Sequence, residues 1–588
     1  MSTGELAGIE LTGRCLVHGI AQGEVLHADM GLSFWGGVDA FTGTVIDQHH
    51  PLCGACITGK VLAIPSGRGS CTGSSVLLEL ILNGHAPAAL VFAEDEAILT
   101  LGVMVAEEMF GRSIPVISLG TEAFASLRQA RYLQVAGNRL TIGDQPGGAS
   151  LLENARTTSV AGPRPALTPS DQAILDGRDG KAAQVAMRII QRMAGIQGAD
   201  QLIDITQAHI DGCIYTGPAS LRFAEQLCSW GARVSVPTTL NSISVDQRRW
   251  RQLGVAPAEG EPASQLADAY LRMGARATFT CAPYLLDSAP AFGEQIVWAE
   301  SNAVAYANSV LGARTMKYPD YLDICIALTG RAPLTSCHLD RHRHATVQID
   351  LPQQSGPLDD AFYPLLGYHI GMLSPNDIPV VTGLQSAAPS LDDQKAFSAA
   401  FATTSAAPMF HILGVTPEAA TSEQALGGKA PARRLSISQA DLRASWQELN
   451  SAKDASVDLI SLGNPHFSLG ECAKLAELCQ GRRKHEHVAM VVTCGRAVHE
   501  QATAAGHIAV LEDFGAQVLT DTCWCMIGEP VIPPTARNLM TNSGKYAHYG
   551  PGLVGRQVHF GNLAACVAAA CSGQASEELP GWLRDATA

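Results

Sequence analysis

The run Val488-Ala489-Met490-Val491-Val492-Thr493-Cys494-Gly495, leading into a helical pattern over Val498 to Ala505, decides the fold class. An apolar, β-branched run that ends at glycine and passes into a helix reads as a strand buried on both faces of a parallel sheet. Outward from it the same alternation continues: a strand at 458–462, a helix at 469–479, and a strand at 517–519. Nearer the N-terminus, 182–194 and 220–230 read as helices and 202–205 and 233–237 as strands. Alternation at this spacing implies βαβ units and parallel sheets, hence an α/β protein.

With 588 residues the chain exceeds a single core, so roughly two to four domains are expected. Residues 1–145 form a small β/α domain: short β runs at 15–18, 23–26 and 60–64 precede a helix at 74–82, a strand at 89–93, a helix at 104–110 and a strand at 115–119. A Pro/Gly/Ser/Thr-rich linker, 146–166, follows. The large body, 167–588, has at least two lobes, separated by a loop-like stretch at 416–432; it opens on Thr168-Pro169 with Asp171 in the first turn, a helix start.

Hydrophobic residues make up 46% of the chain and charged ones 16%, and the formal charge is −15 without a long basic run. Neither nucleic acid nor an anionic membrane is expected as a partner. The opening Met1-Ser2-Thr3-Gly4-Glu5 lacks the basic and apolar regions of a secretory signal. Sixteen irregularly spaced cysteines then read as reduced thiols, and the expected location is cytoplasmic.

Three of those cysteines share a setting. Cys281 follows Ala277-Thr278-Phe279-Thr280, Cys494 follows Val491-Val492-Thr493, and Cys523 follows Thr520-Asp521-Thr522, each at the end of a short buried run. Ligands bind at the carboxyl ends of strands in open α/β sheets. Thiolates meeting there suit an iron–sulfur cluster with one iron open to substrate, although each cysteine is equally a small core residue. Cys525 is left out, because in an extended segment it stands about 6–7 Å from Cys523. The spacing Cys53 to Cys56 reads as structural and Cys325 as core, while Cys337 is kept as a further candidate ligand.

A second chemical feature is the loop Pro65-Ser66-Gly67-Arg68-Gly69-Ser70-Cys71-Thr72-Gly73-Ser74, joining a strand to a helix. Its amides can form an anion-binding nest, and a serine within it is a candidate general base; a carboxylate- or phosphate-binding loop is the other reading. The Gly-Lys-Ser/Thr ending of a P-loop is missing.

Val38-Asp39, Thr42-Gly43, His50-Pro51-Leu52 and Arg68-Gly69-Ser70 resemble the small swivelling unit of the aconitase X family. That family's large unit is resembled in order by His209-Ile210-Asp211-Gly212, Thr280-Cys281-Ala282-Pro283, Glu300-Ser301-Asn302, Gly463-Asn464-Pro465-His466, Asp521-Thr522-Cys523 and Asn542-Ser543-Gly544-Lys545. The match spans nearly the whole chain, with both units fused as in the family's bacterial branch. It implies an aconitase-like, multi-lobed parallel-sheet body with a small N-terminal swivelling domain.

The resemblance further implies an iron–sulfur hydro-lyase, its cluster a [2Fe-2S] or a [4Fe-4S], acting on a small hydroxy acid. The bacterial branch dehydrates cis-3-hydroxy-L-proline to Δ1-pyrroline-2-carboxylate and the archaeal branch mevalonate 5-phosphate; a cluster-dependent sensor or RNA-binding protein is the reading from another class. The implied cluster ligands are Cys281 and Cys523. Where the archaeal pattern has cysteine this chain has Asn464, so Cys494 is taken as the third. Ser70, with Ser66 second, is the expected base, supported by Arg68, while Lys545 contacts a carboxylate. His209, Asp211, Glu300, Asn302, Asn464 and His466 are the expected substrate-binding set.

Overall fold

In the computed structural model, residues 8–48, 50–68, 70–145, 164–352 and 357–584 are described. Most of the expected linker, 146–163, and Gly69 of the serine loop lie outside them. Among the described residues no helix is long and apolar enough to cross a membrane. The chain divides into two compact units: Met1–Thr238 with Arg272–Gly274 and Tyr318–Thr335, and Thr239–Leu271 with Ala275–Lys317 and Ser336–Ala588.

The first unit is built on an eight-stranded sheet. Its strands are β1 (Glu10–Thr12), β2 (Arg14–Val17), β3 (Ile20–His27), β4 (Val61–Ile64), β5 (Ala89–Phe92), β6 (Val116–Ser118), β7 (Tyr132–Ala136) and β8 (Arg139–Gly143), ordered β1-β8-β7-β3-β4-β5-β6-β2. From β3 to β6 the pairing is parallel, and β4 and β5, apolar throughout, are buried at every position. Helices α1 (Gly73–Asn83) and α2 (Ile98–Phe110) supply the crossovers. At the start of α2 the buried Glu96 carboxylate accepts from the backbone N–H groups of Ile98, Leu99 and Thr100, satisfying amides a helix leaves open.

Then come α3 (Pro169–Leu175), α4 (Gly180–Ile196) and α5 (Pro218–Ser229). Thr168 and Asp171 close a capping box on α3, the start read from the sequence. Leu202–Asp204 (β9) is a strand as expected but pairs antiparallel with β10 (Arg331–Pro333), outside any parallel sheet, and α6 (Leu322–Thr329) precedes β10. Arg331 ties this ribbon down, reaching Asp171 at 2.8 Å and Asp204 at 2.6 Å. The expected strand at 233–237 is absent: Val234 and Ser235 donate their N–H groups to Met273 O and Ala327 O, the ends of neighbouring helices, and no ladder forms.

The second unit carries two parallel sheets. One consists of β11 (Val347–Asp350), β12 (Pro379–Thr382), β13 (His411–Ile412) and β14 (Arg433–Ser436), ordered β13-β12-β11-β14. The other, of which the sequence showed the three strands near 458–462, 488–493 and 517–519, has β15 (Leu459–Phe467), β16 (Ala489–Cys494), β17 (Gln517–Leu519), β18 (Asn538–Thr541) and β19 (Gln557–Phe560), ordered β17-β16-β15-β18-β19. Between strands run α7 (Phe362–Leu373), α8 (Leu391–Thr404), α9 (Gln439–Leu449), α10 (Leu469–Cys479), α11 (Arg496–Ala504) and α12 (Gly544–Val554). Phe397, Phe401 and Phe410 pack as an aromatic centre, with ring centroids 4.6 Å apart for Phe397 and Phe410. This is the mixed α/β architecture the sequence implied: several parallel sheets and an N-terminal sheet domain.

Candidate functional site

The site of the second unit grows from a break in β15. All nine of its residues are buried, but its register against β16 shifts between Leu462 and Phe467. Gly463 makes the break: its φ is +94°, and a Cβ there would stand 2.2 Å from Thr493 O. Asn464-Pro465-His466 therefore leaves the ladder and turns polar atoms onto sulfur. The His466 N–H donates to Cys281 Sγ at 3.3 Å and Asn464 Nδ2 to Cys525 Sγ at 3.4 Å.

Cys523 forms a chain of thiol contacts with Cys281 on one side and Cys525 on the other; the Cys281 contact and burial raise the Cys523 thiol against the opposing Cys525 contact, and the Cys523 contact and burial raise the Cys525 thiol. Cys525 had been set aside on the premise of an extended segment. The segment is instead a turn, closed by the Met526 N–H on Cys523 O at 2.9 Å, which brings both cysteines to one place. Just before it Asp521 adopts φ +69° and is gripped by Arg496 through bonds of 2.6 and 2.8 Å. The run before Cys281 also departs from the expected strand: Phe279 has φ +41°, and the Thr280 N–H and Thr278 hydroxyl are spent on Leu240.

Cys494 requires a correction, because it does not join this group. Thr493 turns its hydroxyl onto Gly463 O at 2.6 Å, so Cys494, next along the strand, points to the other face. There it is fully buried in an apolar core and contacts the Cys472 thiol, whose ionisation that contact and burial oppose. Cys337 is likewise a core thiol, pushed up by burial to about 11.

His466 also departs from its expected role as a substrate contact. Its ring is fully buried, with one nitrogen 2.7 Å from Thr522 O and the other 3.1 Å from Thr280 Oγ1, and burial pushes its pKa down to about 4. The neutral ring braces the two cysteine loops. Asn464 is different: its Oδ1 is buried and has no donor among the described residues.

Lys545, at the start of α12, pairs with Glu300 at 2.8 Å. Burial opposes its charge, but Glu300 and the Cys525, Cys523 and Cys281 thiols outweigh that and hold its pKa well above the ordinary lysine value. The other Glu300 oxygen caps Ala303 N at 3.0 Å and accepts from Asn302 Nδ2, which also reaches Cys281 O at 3.1 Å. Glu300 and Asn302 thus link the lysine to the cysteine loop. The sequence did not single out Lys395, which is almost fully buried, paired with Glu471, and donates to His466 O at 3.1 Å. Glu471 also lines a cleft of about 890 Å³ with Asp359, Asp360, Asp392, Asp393 and Lys474.

In the first unit the serine loop joins β4 to α1. The Ser70 hydroxyl donates to Thr72 Oγ1 at 3.0 Å, and the Thr72 N–H donates to Ser70 Oγ at 3.2 Å. Arg68, partly exposed, pairs with Asp47 at 2.9 Å, and Ser66 is half-buried at the strand end. His209 is fully buried. Asp211 is buried too, and accepts from the Thr72 hydroxyl at 3.5 Å. Asp320 and Asp323 had no local signal in the sequence, and Thr72 stood in the quoted loop without a role of its own.

Among the described residues no three His, Cys, Asp or Glu side chains are arranged to hold a single metal ion. The thiol chain is instead a donor set of soft sulfur, the chemistry that selects iron–sulfur clusters.

Four stretches match family descriptions: residues 10–143 the aconitase X swivel domain, 164–341 its first domain, 345–447 its second and 457–572 its third. A cis-3-hydroxy-L-proline dehydratase of Pseudomonas aeruginosa is 58% identical over 573 residues, covering 97% of this chain and 98% of that one. One of the same name from Hypocrea jecorina is 57% identical, with 97% of each chain covered. The crystal structure of Thermococcus kodakaraensis aconitase X in its holo-form superposes with a TM-score of 0.62 at 32% identity, over 69% of this chain and 100% of that one.

Proposed function

The chain belongs to the aconitase X family and is a hydro-lyase, and from that premise we propose that it dehydrates cis-3-hydroxy-L-proline to Δ1-pyrroline-2-carboxylate in the cytoplasm. The observation that carries this reading is the meeting of the buried Cys281 and Cys523 with the partly exposed Cys525 beside the charged Lys545. These thiols would hold an iron–sulfur cluster, and Asn464, with a buried carbonyl lacking a donor, would turn it toward a bound ligand. Bound there, a cluster with an open iron position supplies a Lewis acid for the departing hydroxyl. The donor set serves a [2Fe-2S] or a [4Fe-4S] cluster alike.

The chain's own groups account for the rest. Ser70 Oγ takes the α-proton, and the Thr72 N–H at 3.2 Å lowers the cost of negative charge on that oxygen. The electron pair left at Cα forms the C2–C3 double bond as hydroxide leaves C3, and the resulting enamine tautomerises to the imine. Arg68 presents a planar fork to the substrate carboxylate. Lys545 supplies a second positive charge.

The test is turnover of anaerobically purified protein on cis-3-hydroxy-L-proline and on mevalonate 5-phosphate, with iron and sulfide measured in parallel. Imine formation from the first compound alone, by iron-bearing protein, is the expected result. Turnover of mevalonate 5-phosphate alone, or full activity without iron, overturns the reading.

A further inference from the structure

Behind the serine loop lies a continuous path of oxygen atoms with every donor pointing one way. The Ser70 hydroxyl donates to Thr72 Oγ1 at 3.0 Å, and the Thr72 hydroxyl donates to Asp211 Oδ2 at 3.5 Å. Ser70 and Thr72 precede α1, whereas Asp211 comes 139 positions after Thr72, so local turn geometry does not account for the second contact. Asp211 is fixed from behind: Asp323 Oδ2 accepts its backbone N–H at 2.8 Å and that of Gly212 at 3.2 Å.

Asp320 completes the arrangement. It is fully buried and in hydrogen-bond contact with Asp211. One of its oxygens accepts from the Ser75 hydroxyl at 3.0 Å, and the other has no donor. Two touching carboxyls need a proton between them, since two adjacent negative charges repel. Burial, and then the charges of Asp211 and Asp323, keep the Asp320 carboxyl protonated well above the usual range. Asp320 is thereby held toward its neutral, proton-donating form, and Asp211 is the carboxyl that meets the Thr72 hydroxyl.

We infer that Asp211, reached through Thr72, is the terminal proton acceptor of the dehydration, and that Ser70 hands the α-proton on. This rests on the reading of Ser70 as the base and deepens it. As the Cα–H bond breaks, the α-proton bonds to Ser70 Oγ while the serine's own proton passes to Thr72 Oγ1 and the threonine's to Asp211 Oδ2. The Cα electron pair becomes the C2–C3 π bond, and hydroxide leaves C3 with the C–O pair. Return of the stored proton from Asp211 along the same path converts that hydroxide to water and resets the site. No free serine alkoxide is needed, which removes the main energetic objection to serine as a base at neutral pH. Thr72, Asp320 and Asp323 are positioning residues in this scheme.

The test uses the full-length, iron-loaded enzyme with cis-3-hydroxy-L-proline, comparing wild type with Thr72→Val, Thr72→Ser, Asp211→Asn and Ser70→Ala in mixtures of light and heavy water. Thr72→Val and Asp211→Asn are expected to lower kcat by at least about 100-fold with KM within about threefold, and Thr72→Ser to restore the rate. The dependence of rate on deuterium fraction should be curved in wild type and Thr72→Ser, reporting several protons in flight, and linear in what remains of Thr72→Val. Thr72→Val is nearly isosteric, so it decides the matter even where Asp211→Asn fails to fold. An unchanged rate and an unchanged curve in Thr72→Val overturn the relay. If Ser70→Ala is inactive and Thr72→Val is not, only the relay falls; if Ser70→Ala keeps full activity, the reading of Ser70 falls with it.

Discussion

Lys545 and Glu300 form a buried ion pair with a separation of 2.8 Å, across 245 positions of sequence. Each is the other's main compensation for lost hydration. Removing one partner of such a pair costs about 3–5 kcal/mol, and removing both costs far less. Lys545→Met and Glu300→Gln should each lower the thermal midpoint more than the double variant does. Activity should be lost in all three, because stability recovered in the double variant does not return the cation. A double variant as unstable as the sum of the singles would show that the pair is not coupled.

Cys525 and Cys494 separate by metal content. Cys525→Ser, which replaces a thiol in contact with Cys523, should purify with little iron and little activity. Cys494→Ser, in the apolar core beside Cys472, should keep its iron and lose only stability. Iron and sulfide determination on anaerobic preparations reads both variants, and the reverse pattern would restore Cys494 as the ligand.

Asp521 holds the cysteine turn from below. Its φ of +69° suits Asp, Asn or Gly, and Arg496 grips both of its oxygens. Asp521→Asn keeps the backbone conformation and part of the grip, whereas Asp521→Ala loses both and adds strain of about 1–2 kcal/mol. Iron occupancy should therefore fall in the order wild type, Asn variant, Ala variant. Equal occupancy in all three would show that the turn forms without Asp521.

Glu96 predicts a pH dependence in the first unit. Burial raises its folded-state pKa from 4.5 to about 7, against the opposing hydrogen bonds of Thr100, Leu99 and Ile98. The folded state then binds more protons than the unfolded one between those values, so stability is greatest below about pH 4.5 and declines as pH rises through 7. The full difference is roughly 3 kcal/mol. Amide exchange at the start of α2, corrected for intrinsic rate, should speed up from pH 5 to 8 in wild type and stay flat in Glu96→Gln. Parallel profiles in the two proteins would refute the assignment.

Local signals read well where a cap or a fully apolar run sets the boundary. Helix α10 begins and ends where it was expected because Ser468 and Glu471 form a capping box before an amphipathic repeat. Strands β16 and β17 follow from apolar runs of the right length. The pattern misleads at 233–237 and 277–280, where no ladder forms: the N–H groups of Val234 and Ser235 go to helix ends, and the Thr280 N–H and Thr278 hydroxyl go to Leu240. Cys281 and Cys523 were legible because the resemblance supplied them. Cys525 was not: its place depends on a turn that alternation cannot show. Thr72, Asp211, Asp320 and Asp323 come together only in three dimensions, across separations of 139 and 112 positions for Thr72–Asp211 and Asp211–Asp323.

The bulge at Gly463 has a consequence for how the protein matures. Through Asn464 and His466 it contacts sulfur atoms lying 61 positions later and 185 positions earlier in the chain. Contacts so distant in sequence cost the most entropy to close and are slow to form. A ribosome-bound chain that has not yet released β15 and the turn at Cys523 has thiols but no place where they meet. The meeting of these thiols is thereby deferred until the C-terminal sheet exists, and a metal group bound by them would favour that long-range closure.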